Sequence, residues 1–372
     1  MKKIYLTGYK CHNLGDDLFF LQIIERYPEV HFIFEDTSDG YYCRLLSPYS
    51  NITILKPVYA SFLSRVVNKI MSLFGLEKKD FLFPMLRHKT KMQADAVVVI
   101  GGSVFIEPKN STQRSERLVK LMLDYFGHVP VFYIGANFGP YKSNEYLESS
   151  KRRIKLCHDV CFRDKFSYNI FSDLHPVRYA PDVLFGFHKK TPSCPEPHSI
   201  GISLIDLSNR GSLAQYKEQY LDSIADFLNH NNYSKIVLFD FCEFENDIKA
   251  VNELIEKLME DKRKVIKIER YNCNPHEFME VFDGVETIIA TRFHAMILSL
   301  VMNKITIPIS YSKKMNNVVK DMPTSIGIIN ISDITEQEII EIIENYQKPN
   351  MSELINLSQA QFEVLDNLIR KE

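Results

Sequence analysis

The hydrophobic residues of this chain follow two alternating patterns. Short apolar runs are separated by longer stretches in which apolar residues recur every three or four positions. This alternation predicts a mainly parallel β-sheet with helices on both faces. In the first half, the candidate strands are Lys3–Leu6, His31–Glu35, Ala96–Ile100, Val131–Ile134, Val160–Phe162 and Arg178–Tyr179.

The same alternation resumes after a proline-rich segment. Pro192, Pro195 and Pro197 cannot continue a helix or a central strand, so residues 188–198 are predicted to be a linker. We therefore predict an α/β protein with two Rossmann-like domains, 1–187 and 199–350, that face a cleft. A C-terminal helix is expected over 351–372. The second set of candidate strands is Ser199–Leu204, Lys235–Phe239, Val265–Ile268, Thr287–Ala290, Ile305–Ile309 and Gly327–Ile329.

The composition is that of an ordinary globular protein and narrows the function classes. The 372 residues are 45% apolar and 25% charged, with a net charge of -2, so no basic excess indicates a nucleic-acid partner. The seven cysteines are scattered and lack a second pair with metal spacing, which favours reduced thiols and no metal site. No apolar run approaches the roughly 20 residues that span a bilayer. A cytoplasmic enzyme is the expectation.

One segment, 58–91, combines apolar residues with many lysines and arginines. A basic amphipathic stretch of this kind can lie on the inner face of an anionic membrane. The alternative is a long connecting helix that packs on its own domain. We keep both interpretations, peripheral membrane contact and internal packing.

Polar and glycine-containing loops follow the strands of the first half. Ligands of doubly wound sheets bind beyond the carboxyl ends of the strands, so these loops are candidate site elements. Asp16 or Asp17 is expected to cap the following helix, and the other to act as a general base. Arg163 is either a ligand contact or an ion-pair partner of Asp164 or Asp182. Further candidate binding residues in these loops are Asn13, Gly101, Gly102, Ser103 and Asn137.

The segment 286–297 reads as a buried strand that runs directly into a helix. Thr291 is predicted to be the N-cap, which places Arg292 and His294 in the first helical turn. A helix N-terminus already favours an anion, so these two side chains indicate a site that binds and protonates a phosphorylated acid. In the alternative, Arg292 covers the helix end and His294 bonds a neighbouring loop. Lys314 follows the next strand and is a candidate phosphate contact or a solvated surface residue.

These pieces, taken in order, resemble the polysaccharide pyruvyl transferase family. The resemblance rests on Asn13-Leu14-Gly15-Asp16, Gly101-Gly102-Ser103, Gly135 to Pro140, Phe162-Arg163-Asp164, Pro181-Asp182 and Thr291 to Ala295. It implies a fold like that of the two-domain GT-B glycosyltransferases. It also implies transfer of a carboxyethylidene group from phosphoenolpyruvate to a sugar of a bacterial-type surface polysaccharide or its precursor, with release of phosphate.

The resemblance also implies roles for single residues. The arginines and the histidine that surround phosphoenolpyruvate in the family correspond to Arg163, Arg292 and His294. We expect His294 to be the acid that protonates the alkene, Asp16 or Asp17 to be the base, and no cofactor beyond the donor substrate. The acceptor is a sugar, either lipid-linked or part of a finished polymer. The alternatives are a GT-B glycosyltransferase that uses a nucleotide sugar, a non-catalytic sugar- or phosphate-binding module and a membrane-tethering protein.

Overall fold

The first domain is built on a seven-stranded sheet. The computed structural model describes residues 1–38, 40–56, 93–107, 114–188, 194–322 and 326–370, so the segment 58–91 lies outside the described residues. The strand order is β3-β2-β1-β4-β5-β6-β7, and each neighbouring pair is parallel. The strands are β1 (Lys3–Gly8), β2 (His31–Glu35), β3 (Ile52–Leu55), β4 (Ala96–Ile100), β5 (Val131–Ala136), β6 (Asp159–Phe162) and β7 (Val177–Tyr179).

The second domain repeats this organisation with six parallel strands in the order β10-β9-β8-β11-β12-β13. In both sheets the order reverses beside the first strand of the domain. These two reversal points are where ligands bind in open α/β sheets. The strands are β8 (Glu196–Ser203), β9 (Lys235–Asp240), β10 (Ile266–Arg270), β11 (Val285–Ala290), β12 (Ile305–Ser310) and β13 (Ile329–Asn330).

Helices cover the sheets, and within the described residues no helix is both long and apolar enough to cross a bilayer. The helices of the first domain are α1 (Leu14–Arg26), α2 (Tyr41–Leu46), α3 (Arg114–Phe126), α4 (Asn144–Lys155) and α5 (Lys165–Phe171). Those of the second are α6 (Lys217–His230), α7 (Asp247–Lys257), α8 (Glu260–Arg263), α9 (Pro275–Asp283), α10 (Phe293–Val301), α11 (Lys313–Asp321) and α12 (Glu336–Glu344). The chain ends with α13 (Ser352–Ser358) and α14 (Glu363–Arg370).

The two domains share a continuous apolar core. The largest cluster of buried apolar side chains contains Leu18 and Phe19 of α1, Val183 of the first domain, and Met296 and Ile297 of α10. Burial of such side chains stabilises each domain and also fixes the helices that carry the loops at the cleft. The structure therefore confirms the predicted α/β architecture of two parallel sheets around a cleft.

Each predicted strand overlaps an observed one, but three features differ from the prediction. The edge strand β3 was not predicted, because its four residues are too few for a clear period. Strand β8 begins at Glu196, so residues 196–198 of the predicted linker belong to the second sheet. The predicted single helix over 351–372 is wrong, since a 3₁₀ turn over Gln359–Phe362 separates α13 from α14.

The C-terminal segment returns to the first domain. Arg26 of α1 forms an ion pair with Asp366 at 2.8 Å, and Tyr27 donates a hydrogen bond to the same carboxylate at 2.6 Å. Gln361 is fully buried, accepts a hydrogen bond from the Gly135 N–H and donates to the Ala180 carbonyl. These bonds anchor the end of the chain on the domain where it begins.

Candidate active site

The β1–α1 loop places the first candidate residues. Asn13 is the N-cap of α1, and its side-chain oxygen accepts a hydrogen bond from the Gly15 N–H at 3.0 Å. Asp16 and Asp17 therefore lie in the first helical turn, where acidic side chains interact favourably with the helix dipole. The prediction that one of these two aspartates caps the helix is wrong.

Arg163 follows β6 and is almost completely buried. Its guanidinium forms an ion pair with Asp182 at 2.7 Å and donates a second hydrogen bond to the Asn137 side-chain oxygen at 2.7 Å. Gly102 makes room for this group, because a Cβ at that position would lie 2.0 Å from Arg163 Nη2. The glycine loop after β4 thus supports a side chain of the site, and Asn137 orients the same side chain.

His294 brings the second domain to this arginine. Its Nε2 lies 3.4 Å from Arg163 Nη1, and its ring contacts the edge of Phe19 at a centroid distance of 5.2 Å. A Cβ at Gly15 would lie 1.7 Å from His294 Nδ1, so the imidazole lies directly against the start of α1. The reversal points of the two sheets therefore face each other across the cleft, with His294 between them.

The helix that carries His294 starts one residue later than predicted. Arg292, not Thr291, is the N-cap of α10, and its side chain makes no capping hydrogen bond. Thr291 instead lies within hydrogen-bonding distance of the Tyr220 hydroxyl, at 2.8 Å. Helix α11 also begins without a side-chain cap, at Ser312. Because β11 and β12 are parallel neighbours, both helix N-termini lie at the same edge of the sheet and favour an anion there.

Arg292 has a different set of partners from Arg163. Its guanidinium donates hydrogen bonds to both carboxylate oxygens of Asp247, and the distance from Nε to Oδ2 is 2.8 Å. It also forms an ion pair with Glu245. Burial raises the pKa of Asp247 to about 6, although Arg292 opposes that shift. Arg163 and Arg292, which were both expected to surround phosphoenolpyruvate, therefore differ in their surroundings, because Arg292 is held by two carboxylates of its own domain.

Lys314 lies in the first turn of α11 and completes the group around His294. Its ammonium lies 4.8 Å from the centroid of the Phe293 ring, and the Arg163 guanidinium lies 4.6 Å from the same centroid. Burial lowers the pKa of Lys314 to about 7, and the nearby charge of Arg163 adds to that effect. None of the described carboxylates forms an ion pair with this ammonium, so it is available to an anionic ligand.

The two adjacent aspartates have different environments. Burial raises the pKa of Asp16 to about 6, whereas Lys314 and Arg163 lower it. Asp16 thus belongs electrostatically to the group around His294. The Asp17 side chain is completely buried and accepts hydrogen bonds of 2.6 Å from the Tyr41 and Tyr271 hydroxyls.

The Asp17 bonds connect the domains, because Tyr41 belongs to the first domain and Tyr271 to the second. Burial raises the pKa of Asp17 to about 7, against the effect of the two hydrogen bonds. These contacts give Asp17 a structural role at the domain interface. Gly101, at φ +116°, and the half-buried Ser103 form the turn after β4, and a Cβ at Gly101 would lie 3.8 Å from Asp16 Oδ1.

The electrostatics of the site determine the protonation state of His294. Burial is the main cause that holds its pKa well below the ordinary value, and the cations Arg163, Lys314 and Arg292 act in the same direction. The imidazole is therefore neutral near pH 7 in the free protein. A bound anion would oppose these cations and raise the pKa again.

Sequence reasoning missed several residues of the site. Glu245 and Asp247 were not assigned, since nothing in their sequence context indicates that they meet Arg292. Tyr41 and Tyr271 were missed because their common partner Asp17 lies far from both along the chain. Phe293 was not assigned to the site either, although its ring lies next to both Arg163 and Lys314.

A separate cavity of about 580 Å³ lies between α1, α9 and α13. Leu21, Met279, Ile355 and Phe362 supply apolar walls, and the cavity is lined by none of the charged residues around His294. The concentration of cations and helix N-termini therefore makes the cleft at His294 the better candidate for anion chemistry.

Comparison with known proteins agrees with this geometry at the level of the family. The family model for polysaccharide pyruvyl transferase matches residues 13–313, which span every charged residue of the site except Lys314. The sequence comparison with curated proteins finds no match.

Solved structures with the same fold include three sugar-nucleotide enzymes. The UDP-GlcNAc 2-epimerase from Methanocaldococcus jannaschii superposes with a TM-score of 0.59 at 12% identity, over 99% of both chains. A candidate UDP-N-acetylglucosamine 2-epimerase from Listeria monocytogenes superposes with a TM-score of 0.62 at 8% identity, over 100% of this chain and 98% of the other. The UDP-GlcNAc 2-epimerase from Neisseria meningitidis superposes with a TM-score of 0.54 at 11% identity, over 99% of this chain and 100% of the other. At these identities the likeness shows a GT-B-like fold.

Proposed function

The chain belongs to the polysaccharide pyruvyl transferase family, and we propose that it uses phosphoenolpyruvate as the donor. The proposed reaction moves a carboxyethylidene group to a sugar of a surface polysaccharide or its precursor and releases phosphate. The observation that carries this proposal is the contact between Arg163 and His294 at the facing reversal points of the two sheets. This contact brings a permanent cation, Arg163, next to a titratable group, His294, at the sheet edge where open α/β folds bind ligands.

The charges at the cleft suit a small molecule with two anionic groups. Lys314 and the uncapped N-termini of α10 and α11 are positioned to bind one of these groups, and Arg163 lies beside them. Arg292 joins the donor contacts if the donor competes with Glu245 for the guanidinium. Charge-assisted hydrogen bonds of this kind are the strong ones in proteins, so a few of them anchor a small dianion.

His294 is the proposed acid for the alkene carbon of the donor. Its pKa is low in the free protein, mainly because it is buried and also because three cations surround it. The negative charges of the donor would offset these cations, so the imidazole takes up a proton as the donor binds. The proton is then held where the donor is, which couples acid catalysis to occupancy of the site.

Asp16 is the proposed base for the acceptor. It deprotonates below pH 7, and it lies in the same electrostatic group as Lys314 and Arg163, unlike the buried Asp17. One sugar hydroxyl attacks the carbon that bears the phosphate, as the alkene carbon gains a proton and becomes a methyl group. A second hydroxyl then displaces phosphate and closes the cyclic ketal. Of the two hydroxyl protons, one replaces the proton delivered to carbon and the other leaves with phosphate.

We also propose the cellular setting that the function implies. The acceptor is a sugar on a lipid-linked oligosaccharide or a polymer, and the protein acts in the cytoplasm at the inner face of the membrane. The reaction as proposed uses the donor alone and no further cofactor.

The alternative of a glycosyltransferase that uses a nucleotide sugar has weaker support. The three sugar-nucleotide enzymes compared above are at most 12% identical to this chain, so the likeness concerns the fold.

Mass spectrometry tests this proposal directly. The protein is incubated with phosphoenolpyruvate and a panel of disaccharides that differ in sugar and linkage. We expect one sugar to gain the mass of a carboxyethylidene group, with one phosphate released per sugar modified. Transfer of a hexose from a nucleotide sugar under the same conditions would contradict the proposal.

A further inference from the structure

An exposed aromatic ring lies where the two domains meet. Phe244 belongs to the 3₁₀ turn Glu243–Glu245 after β9, and 65% of its surface is exposed. Single exposed apolar residues are common and need no explanation. This ring, however, is part of an ordered aromatic stack, because its centroid lies 4.5 Å from that of His12 in the other domain.

The stack rests on buried groups that make it rigid. His12 lies parallel to Tyr41, with a centroid distance of 3.7 Å and an angle of 6° between the rings. The Tyr41 hydroxyl is fixed in turn by its hydrogen bond to the buried Asp17. His12 itself has a left-handed backbone conformation, φ +45°, and its ring lies between those of Tyr41 and Phe244. The Phe244 ring is therefore supported on one side and open on the other.

The stack is also tied to the catalytic group. Asn13 and Cys242 form a β-bridge between the domains, and the Leu14 N–H donates to the Phe241 carbonyl at 3.3 Å. His12 precedes Gly15 by three residues, which limits their Cα separation to about 11 Å, and Gly15 contacts His294. The Phe244 ring thus lies at a distance that an oligosaccharide spans from the proposed acid.

We propose that Phe244 is the platform for a sugar ring of the acceptor, adjacent to the sugar that is modified. This inference rests on the proposed function. The slightly positive C–H groups on one face of a pyranose pack on the negative face of an aromatic ring. The carboxylate of Glu245, which directly follows Phe244, is a polar group beside the platform that suits the sugar hydroxyls.

The platform predicts a preference among acceptors. A monosaccharide can occupy the position of the modified sugar but cannot reach the Phe244 ring at the same time. A disaccharide or longer glycan can occupy both positions. We therefore expect acceptors of two or more sugars to bind more tightly than the matching methyl monosaccharides.

Saturation-transfer NMR tests the platform. The probes are methyl glycosides of glucose, galactose, mannose and the N-acetylhexosamines, with their disaccharides. We expect transfer to the C–H groups on one face of one sugar ring. Phe244→Ala and Phe244→Leu should weaken binding of the preferred disaccharide about tenfold, the range of one aromatic contact. Phe244→Trp should preserve it, because the aromatic face is retained.

Two controls separate this inference from the proposed function. Met259→Ala removes an exposed apolar side chain beyond the far end of α7, and it should leave sugar binding unchanged. Calorimetry should give the same affinity for phosphoenolpyruvate in all Phe244 variants as in the wild-type protein. If the wild-type protein does not bind phosphoenolpyruvate, that result counts against the proposed function and not against the platform. Unchanged disaccharide affinity in Phe244→Ala or no transfer to any sugar would overturn the platform. The platform would also be overturned if the wild-type protein formed a dimer in solution that Phe244→Ala dissociated, since the ring would then be a subunit contact.

Discussion

The imidazole of His294 lies 3.4 Å from the guanidinium of Arg163, although the two residues belong to different domains. Each rests against a glycine of the first domain, His294 on Gly15 and Arg163 on Gly102. The relative position of the domains therefore determines the geometry of the proposed active site. Burial, together with this nearby cation, lowers the pKa of His294 and keeps the imidazole neutral until an anion binds.

Donor binding should be coupled to proton uptake. Phosphoenolpyruvate offsets the cations around His294, so the pKa of His294 rises and this residue takes up about one proton near pH 7. Calorimetry in buffers with different ionisation enthalpies measures this number. His294→Ala should take up fewer protons than the wild-type protein but not none, because Lys314, with a pKa of about 7, also gains protons when the donor binds. Equal proton uptake in the two proteins would contradict the role of His294 as the acid.

The same variant should separate chemistry from binding. His294→Ala should lower kcat about 10²–10⁴-fold, the usual range for a positioned acid or base, because the donor is held mainly by other groups. The measurement is steady-state phosphate release, with the donor Kd determined in parallel. Near-normal turnover in this variant would remove His294 from the reaction.

Gly15→Ala should damage the site through His294. The added methyl group would overlap the imidazole, with 1.7 Å between Cβ and Nδ1, so the ring must move. We expect a loss of kcat of about 10²-fold, as for other small displacements of catalytic groups. Gly284→Ala is the matched control, because its Cβ would find ordinary contacts of 3.4 Å. Equal activity of the two variants would show that the position of His294 does not depend on Gly15.

Asp17 should make stability depend on pH. Its pKa is about 7 in the folded protein and about 4 in the unfolded chain, so the folded state holds the proton more tightly. The contribution of Asp17 to the free energy of unfolding therefore falls as pH rises from about 4 to about 7, by up to about 4 kcal/mol in total. Asp17→Asn removes this titration and keeps an acceptor for the Tyr41 and Tyr271 hydroxyls.

Urea unfolding at pH 5 and pH 8 measures the effect. The stability of Asp17→Asn relative to the wild-type protein should increase between these two values. Parallel pH profiles for the two proteins would show that Asp17 is ionised in the folded state at both pH values.

The two arginines should respond differently to replacement by lysine. Arg163→Lys loses the fork that bonds Asp182 and Asn137 inside the protein, so we expect a lower Tm as well as weaker donor binding. Arg292→Lys retains a cation beside Asp247 and Glu245 and should weaken donor binding about tenfold, the scale of one charged hydrogen bond. Differential scanning fluorimetry and donor titration measure the two effects. Unchanged donor affinity in both variants would exclude the arginines from the donor site.

Much of the architecture follows from hydrophobic periodicity. Strand β4, for example, is buried at every position and stands out as an uninterrupted apolar run. The grouping of Asp16 and Arg163 follows from the rule that parallel strands present their carboxyl ends at one edge. Both inferences use information that is local in the sequence.

The features that were not predicted depend on contacts between distant residues. The ion pair of Arg292 with Asp247 joins the starts of α10 and α7, which no local pattern connects. The support of His294 by Gly15 depends on how the domains meet, which periodicity does not encode. For the same reason, the sequence left open which of Asp16 and Asp17 faces the cleft.

A thermal-shift titration tests the central claim, the phosphoenolpyruvate site, most directly. The pure protein is titrated with phosphoenolpyruvate, pyruvate, phosphate, UDP and a panel of nucleotide sugars. A ligand that binds only the folded state stabilises it by about 2.7 kcal/mol at a hundredfold excess over its Kd. We predict stabilisation by phosphoenolpyruvate that is reduced in Arg292→Ala. Stabilisation by UDP or a nucleotide sugar, with no effect of phosphoenolpyruvate, would contradict the account.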